Sequence, residues 1–278
     1  MTNLLKSDYI KLFKDKLFLV VCILAIVFAV ITPALYGLIF AFMGESMDPV
    51  TEELLMGSVN AKGQFFGSFS FGNNLGLIAP LLIGIIIYKD FSFGTVRNKI
   101  ISGHSRISIF LSNLIVCFTT LFGIILFSAF LTLFISLLLF EYQATPFAMS
   151  DFFYFLESLF FELCIYVFAA AFVCWLCVCM KNIGLVIVMY VAVIIGFIMI
   201  AAFLMAIISV LSLDPKFETT VNVLNFFQRI NVFNSSASIG LGTNYEAKDW
   251  LYYVLTPLIF AAGLIGHGAL KFRRKDLK

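Results

Sequence analysis

The sequence predicts an all-α integral membrane protein with six spanning helices, and three observations carry that reading. The 278 residues are 62% hydrophobic and only 12% charged, whereas soluble domains run near half apolar and a quarter charged. Six apolar windows reach the ~20 residues a bilayer crossing needs, at roughly 17–42, 64–88, 107–140, 152–180, 183–213 and 250–270. Their apolar runs are continuous rather than alternating, which argues against barrel strands.

Lys and Arg placement sets the orientation. With the N-terminus in the cytoplasm, 14 of the 18 basic residues fall inside: Lys6, Lys11, Lys14, Lys16, Lys89, Arg97, Lys99, Arg106, Lys181, Lys271, Arg273, Arg274, Lys275 and Lys278. Only Lys62, Lys216, Arg229 and Lys248 fall outside. Both termini are therefore expected in the cytoplasm. A net charge of +2 gives no reason to expect a nucleic-acid partner. The first span is too long for a secretory h-region and no small-residue cleavage site follows it, so it reads as retained.

The chain divides as follows. Residues 1–16 form an amphipathic helix with Leu5, Tyr9, Leu12 and Phe13 on one face and Ser7, Lys11, Lys14 and Asp15 opposite, suited to the inner membrane surface. After the first span, an acidic outer loop carries Glu45, Asp48, Glu52 and Glu53. The second span opens with "GQFFGSFSFGNNLG", in which Gly63 and Gly67, and Gly72 and Gly76, are four apart and permit close helix approach. Gln64, Ser68, Ser70, Asn73 and Asn74 put polarity at membrane depth there, so they are expected to face protein or water. Gln64, Ser68, Asn73 and Asn74 are candidates for lining a pathway, with helix packing as the plainer alternative.

Residues 89–106 form the inner loop between spans two and three. Gly94 and Thr95 offer a break and an N-cap, "VRNKIIS" forms about two turns with Val96 and Ile100 on one face, and Gly103 stops the helix. Its aromatic and basic residues read as a docking element rather than a solvated loop. The fourth span carries Glu157 and Glu162. Intramembrane carboxylates are costly and raise a functional hypothesis. They are five residues apart, about 140° around a helix, so they do not pair. Both are expected near the outer end, with the helix along the interface and the carboxylates reaching water. Six cysteines fall inside spans, with no outer-loop pair to suggest a disulfide and no ligand cluster to complete a metal site. They read as small packing residues. The outer loop, 214–249, holds the amphipathic "ETTVNVLNFFQRI", expected to dip into the interface, and then "NSSASIGLGTN", expected as a turn-rich connector. The basic tail "KFRRKDLK" reads as a headgroup anchor on membrane lipid.

The order of basic N-terminal helix, six spans, short inner-loop helix and outer segment before span six resembles the type-2 permease class of ABC exporters. The phrase "DFSFGTVRNKIISGHSR" carries the local likeness, as Asp90, Gly94-Thr95, Arg97 and Ser105-Arg106. Where the class often has Glu, this chain has Asp90. The small size is similar to the branch containing bacitracin-resistance, lantibiotic-immunity and peptide-toxin exporter permeases. The resemblance implies a bacterial cytoplasmic membrane protein that docks a separate ATP-binding subunit, present in two copies, through Asp90, Phe91, Phe93, Thr95, Arg97, Lys99 and Arg106. It also implies a second permease copy or a related permease, with ATP and Mg bound by the partner. The chain has no G-x-x-x-x-G-K-[ST], and no Gly-Lys dipeptide. Glu157 and Glu162 are further candidates for contact with cargo. Two other classes stay open: a sensor or scaffold binding a peptide at the outer loops, and an intramembrane enzyme. His104 and His267 lie toward the inner side, away from Glu157 and Glu162, and no G-x-S-x-G or H-E-x-x-H occurs.

Overall fold

The computed structural model describes residues 2–43, 60–92, 94–140, 148–240, 245 and 247–275. The described residues are helical, with no strand among them, and six helices are long and apolar enough to cross a membrane. The chain is therefore an all-α, multi-pass membrane protein. The acidic loop and Phe93 lie outside the described residues.

The elements are α1 (Thr2–Lys14), α2 (Lys16–Met43), α3 (Ala61–Phe69), α4 (Asn74–Ser92), α5 (Thr95–Ile101), α6 (Arg106–Leu139), α7 (Met149–Cys179), α8 (Ile183–Leu211), α9 (Glu218–Ile230), α10 (Val232–Gly240), α11 (Ala247–Trp250) and α12 (Thr256–Arg274). A single π turn, Leu251–Leu255, joins α11 to α12. Asp15 breaks the chain between α1 and α2, where its carboxylate accepts the Leu17 amide at 2.9 Å. We call the end that gathers α1, α5 and the C-terminal end of α12 the basic end.

Helix α7 is the centre of the bundle. It packs against α12, α6 and α4, and most of its length is buried. Its run of Ala169, Ala170 and Ala171 carries no bulk, so neighbours approach closely. Gly84 of α4 shows how closely: a Cβ there would sit 2.3 Å from Val173 Cγ1. Nearby, Cys177 Sγ donates to the Gly84 carbonyl at 3.3 Å. All six cysteine thiols are free. By contrast, α8 leaves Ile195, Met199 and Phe203 exposed, as a lipid-facing helix would.

Two sequence expectations are corrected here. The second span is not one helix over 64–88: it breaks between Phe69 and Asn74, where Asn73 donates its side-chain amide to the Gly67 carbonyl at 3.1 Å and accepts the Asn74 amide at 2.7 Å. Asn side chains compete with the backbone in this way and end helices without proline. The expected connector "NSSASIGLGTN" begins as helix: Asn234 to Gly240 belong to α10, packed against α3, α7 and α8. Its serines serve as small contact residues, and Gly240 comes within 3.6 Å of the Gly67 Cα, measured from a Cβ built upon it.

Candidate functional site

At the basic end, four charged side chains from three elements close one network. Lys99 of α5 donates to Asp8 of α1 at 2.6 Å and to Asp90 of α4 at 2.9 Å. The second Asp8 oxygen accepts the Ser112 hydroxyl of α6 at 2.6 Å. Lys11 pairs with the other oxygen of Asp90. Two cations face two anions, so the group is neutral overall. Asp8, Asp90 and Lys99 are buried, a burial that charged residues tolerate only when paired. Burial, and the Lys99 ammonium nearby, hold Lys11 below the usual lysine range. A second pair, Lys89 with Asp15 at 2.6 Å, closes the edge. Burial raises the Asp15 carboxyl, but Lys89 and the Leu17 amide outweigh it and leave the group below the usual carboxylate range.

The short helix α5 is set by its ends. The N-cap is Gly94 at φ 70°, not Thr95, which is already helical. Only glycine takes that conformation without strain. At the other end Gly103, at φ 91°, donates to the Ile100 carbonyl at 2.9 Å, and His104 donates to Lys99 at 3.1 Å. That pair of bonds is a Schellman motif. Arg106 then reaches the carbonyls of Phe272, Arg273 and Lys275 at 3.3, 3.0 and 2.6 Å, where a cation meets the negative end of α12.

The structure therefore divides the predicted docking residues. Asp90 and Lys99 are buried in the network, Arg106 is half-buried in carbonyl contacts, and Phe91 packs edge-on against Phe272 at 5.5 Å. Thr95 is half-buried and Arg97 exposed. Beside Arg97 the surface holds Asn98, Ser102 and Ile101, the last 75% exposed. Sequence reasoning missed Asp8, Lys11, Ser112 and Ile101 as members of this region. Asp8 had a legible signal: it sits between Leu4 and Leu12 at helical spacing, on the stripe that the structure buries.

At the opposite end, Glu162 of α7 is fully buried, which corrects the expectation that it reaches water. Its Oε1 accepts the Ser236 hydroxyl of α10 at 2.7 Å, while Oε2 has no partner among the described residues. Ser236 in turn accepts the Phe71 amide at 2.6 Å and lies 3.2 Å from the Ser70 hydroxyl. Tyr166 donates to the Phe69 carbonyl at 3.0 Å. Ser236 and Tyr166 thus supply partners for backbone groups that the break frees, and Glu162 anchors Ser236 to α7. Ser68 is buried and donates to its own helix at Phe65, at 2.6 Å, and Gln64 is buried on the same helix. Asn73 and Asn74 border the break without bonding Glu162, and Glu157 is half-buried on α7. Tyr245 caps this end, stacked on Tyr154 at 4.8 Å with its hydroxyl 2.7 Å from that of Ser158. Burial pushes its phenol up to about 12.

No protein-family model matches the chain, and a search of curated proteins finds no match.

Proposed function

We propose that this chain is the membrane-spanning subunit of an ATP-driven exporter of the type-2 ABC permease class. Its termini and the 89–106 loop would lie in the cytoplasm of a bacterial cell, and α5 would be the helix that receives a separate ATP-binding subunit. One observation carries this reading. Helix α5 is locked from behind, through buried Lys99, to α1 and α4, and Asp8 in turn ties α1 to Ser112 of α6, while the outer face of α5 offers Arg97 and Ile101. A short helix tied to two other helices, with an exposed cation beside an exposed apolar side chain, suits a lever more than a solvated loop. Arg next to apolar surface is also the composition of interface anchors.

On this reading the docking surface is Thr95, Arg97 and Ile101. Asp90, Lys99, Phe91 and Arg106 position the helix rather than touch the partner. A push on α5 passes through Lys99 to Asp8 and Asp90, hence to α1 and α4, and α4 carries it toward the break that Glu162 holds. ATP and Mg would belong to the partner, in two copies, and a second permease copy would complete the pathway. The cargo would be hydrophobic or amphipathic, such as an antimicrobial or toxin peptide or a lipid-linked molecule. That assignment rests on the resemblance alone.

The test is co-expression with the ATP-binding protein encoded beside this chain, purification through a tag on this chain, and ATPase measurement. Arg97→Glu with Ile101→Asp is expected to lose co-purification and ATPase activity while the permease still runs as a monodisperse peak. Full activity in that double variant would refute the assignment.

A further inference from the structure

A cavity of ligand size lies outside both the charge network and the α3–α4 break. It lies on the flank between α1, α2 and α6, with a volume of about 460 Å³, inside the ~300–1,000 Å³ range of small-molecule pockets. Phe13, Phe18, Cys22, Ile26, Gly123 and Phe127 form most of its wall. Toward the basic end Tyr9 and Thr119 close it by a hydrogen bond. Further along, Ser128 donates to the Ala25 carbonyl at 3.2 Å and draws α6 back onto α2. Between these two ties the helices part. The groove runs about eight residues along α2 and α6, or ~12 Å at 1.5 Å per residue. Phe13, Ile26 and Phe127 stand exposed at its rim, so it opens sideways from the bundle.

We propose that this groove holds an acyl chain of an anionic phospholipid whose headgroup lies at the basic end. The wall is carbon almost throughout, so water gains no hydrogen bonds there and an alkyl chain does not lose any. The opening faces sideways between two spanning helices, where lipid is the medium. The headgroup charge follows from exposed basic residues of α1 and of its junction with α2. Lys6 lies on the same helical stripe as Tyr9 and Phe13, at spacings of three and seven, and is exposed. Lys14 and Lys16, also exposed, flank the α1–α2 junction. Basic residues at a membrane surface attract anionic headgroups. The occupant would fill the gap behind α1, the helix that carries Asp8 and Lys11 into the charge network. None of this depends on the exporter reading.

Gly123 makes a clean test possible. A Cβ there meets no atom within 4 Å, so Gly123→Leu fills the groove without a backbone clash and exchanges a poor helix former for a good one. Native mass spectrometry of the full chain in detergent would read binding of phosphatidylglycerol and of phosphatidylcholine with the same acyl chains. The wild type should retain one phosphatidylglycerol at least tenfold more tightly than phosphatidylcholine. Gly123→Leu should lose that retained molecule while melting no lower than the wild type. Ile26→Trp, at the exposed rim, should block the groove from the opposite wall and serves if Gly123→Leu misfolds. The triple variant Lys6→Glu, Lys14→Glu, Lys16→Glu should abolish the preference for phosphatidylglycerol. Equal retention of the two lipids by the wild type, or undiminished retention in both groove-filling variants, would overturn the proposal.

Discussion

Lys99 is the residue on which the basic end turns. It donates to carboxylates from two other helices, and its removal would leave Asp8 and Asp90 buried with Lys11 alone to balance them. Removing one member of a buried ion pair costs about 3–5 kcal/mol, because the remaining charge has lost its compensation. Lys99→Ala is expected to destabilise the detergent-solubilised protein by an amount of that order, read as a lowered melting temperature. Lys99→Ala combined with Asp8→Asn should recover part of the loss; no recovery would mean that the network is not coupled as the distances indicate. Glu162 makes the opposite kind of prediction. Glu162→Gln keeps an oxygen to accept the Ser236 hydroxyl and is expected to be mild. Glu162→Ala leaves that hydroxyl without its acceptor and opens a void, at a cost of about 1–3 kcal/mol for the polar part alone. Thermal melts of the two variants, compared side by side, check this; equal losses would count against the hydrogen-bonded role. The long-range partners of these two residues could not be read in advance. Asp8 and Lys99 are 91 positions apart and Glu162 and Ser236 are 74 apart, and a single sequence carries no signal for such pairings.

Among the elements, the spans follow directly from hydropathy, since a run of some 20 apolar residues has few other uses. The five unbroken spans were legible to within a few residues. The fold departs from the sequence reading where small polar residues decide the outcome. In "GSFSFGNN" the α3–α4 break is made by asparagine and serine hydrogen bonds rather than by proline, so the polarity of the stretch is legible but the break itself is not. In "NSSASIG" the composition reads as a turn, yet these residues are helical because neighbouring helices bury them and Ser236 finds partners in Phe71 and Glu162. Helix α5, by contrast, was legible from its glycines, since Gly94 and Gly103 both take positive φ. The α4–α7 contact gives a prediction at this scale. Gly84→Leu is expected to force α4 off α7, because even a Cβ would meet Val173 at 2.3 Å. Val173→Ala in the same chain should restore part of the folded yield measured by size-exclusion chromatography. Failure of Val173→Ala to improve the yield would show that something other than this contact sets the spacing.

Across the whole molecule, two polar clusters sit at opposite ends of an apolar bundle, and α4 runs between them. At one end its Asp90 meets Lys99 and Lys11; at the other its N-terminal break is held by Glu162 and Ser236. Between these ends the spans pack through carbon contacts with scattered polar ties, such as Ser128 to the Ala25 carbonyl and Tyr190 to the Leu77 carbonyl. This arrangement suits movement imposed at α5 and expressed at the break. The measurement that tests this account most directly is a cross-link from α5 to its proposed partner. Ile101→Cys would be co-expressed with the neighbouring ATP-binding protein in membranes and treated with a short bifunctional thiol reagent, and Met199→Cys on the exposed face of α8 would serve as the control. The account predicts a covalent adduct of the two subunits from Ile101→Cys and none from Met199→Cys. No adduct from Ile101→Cys, or adducts of equal yield from both positions, would contradict the assignment of α5 as the docking helix.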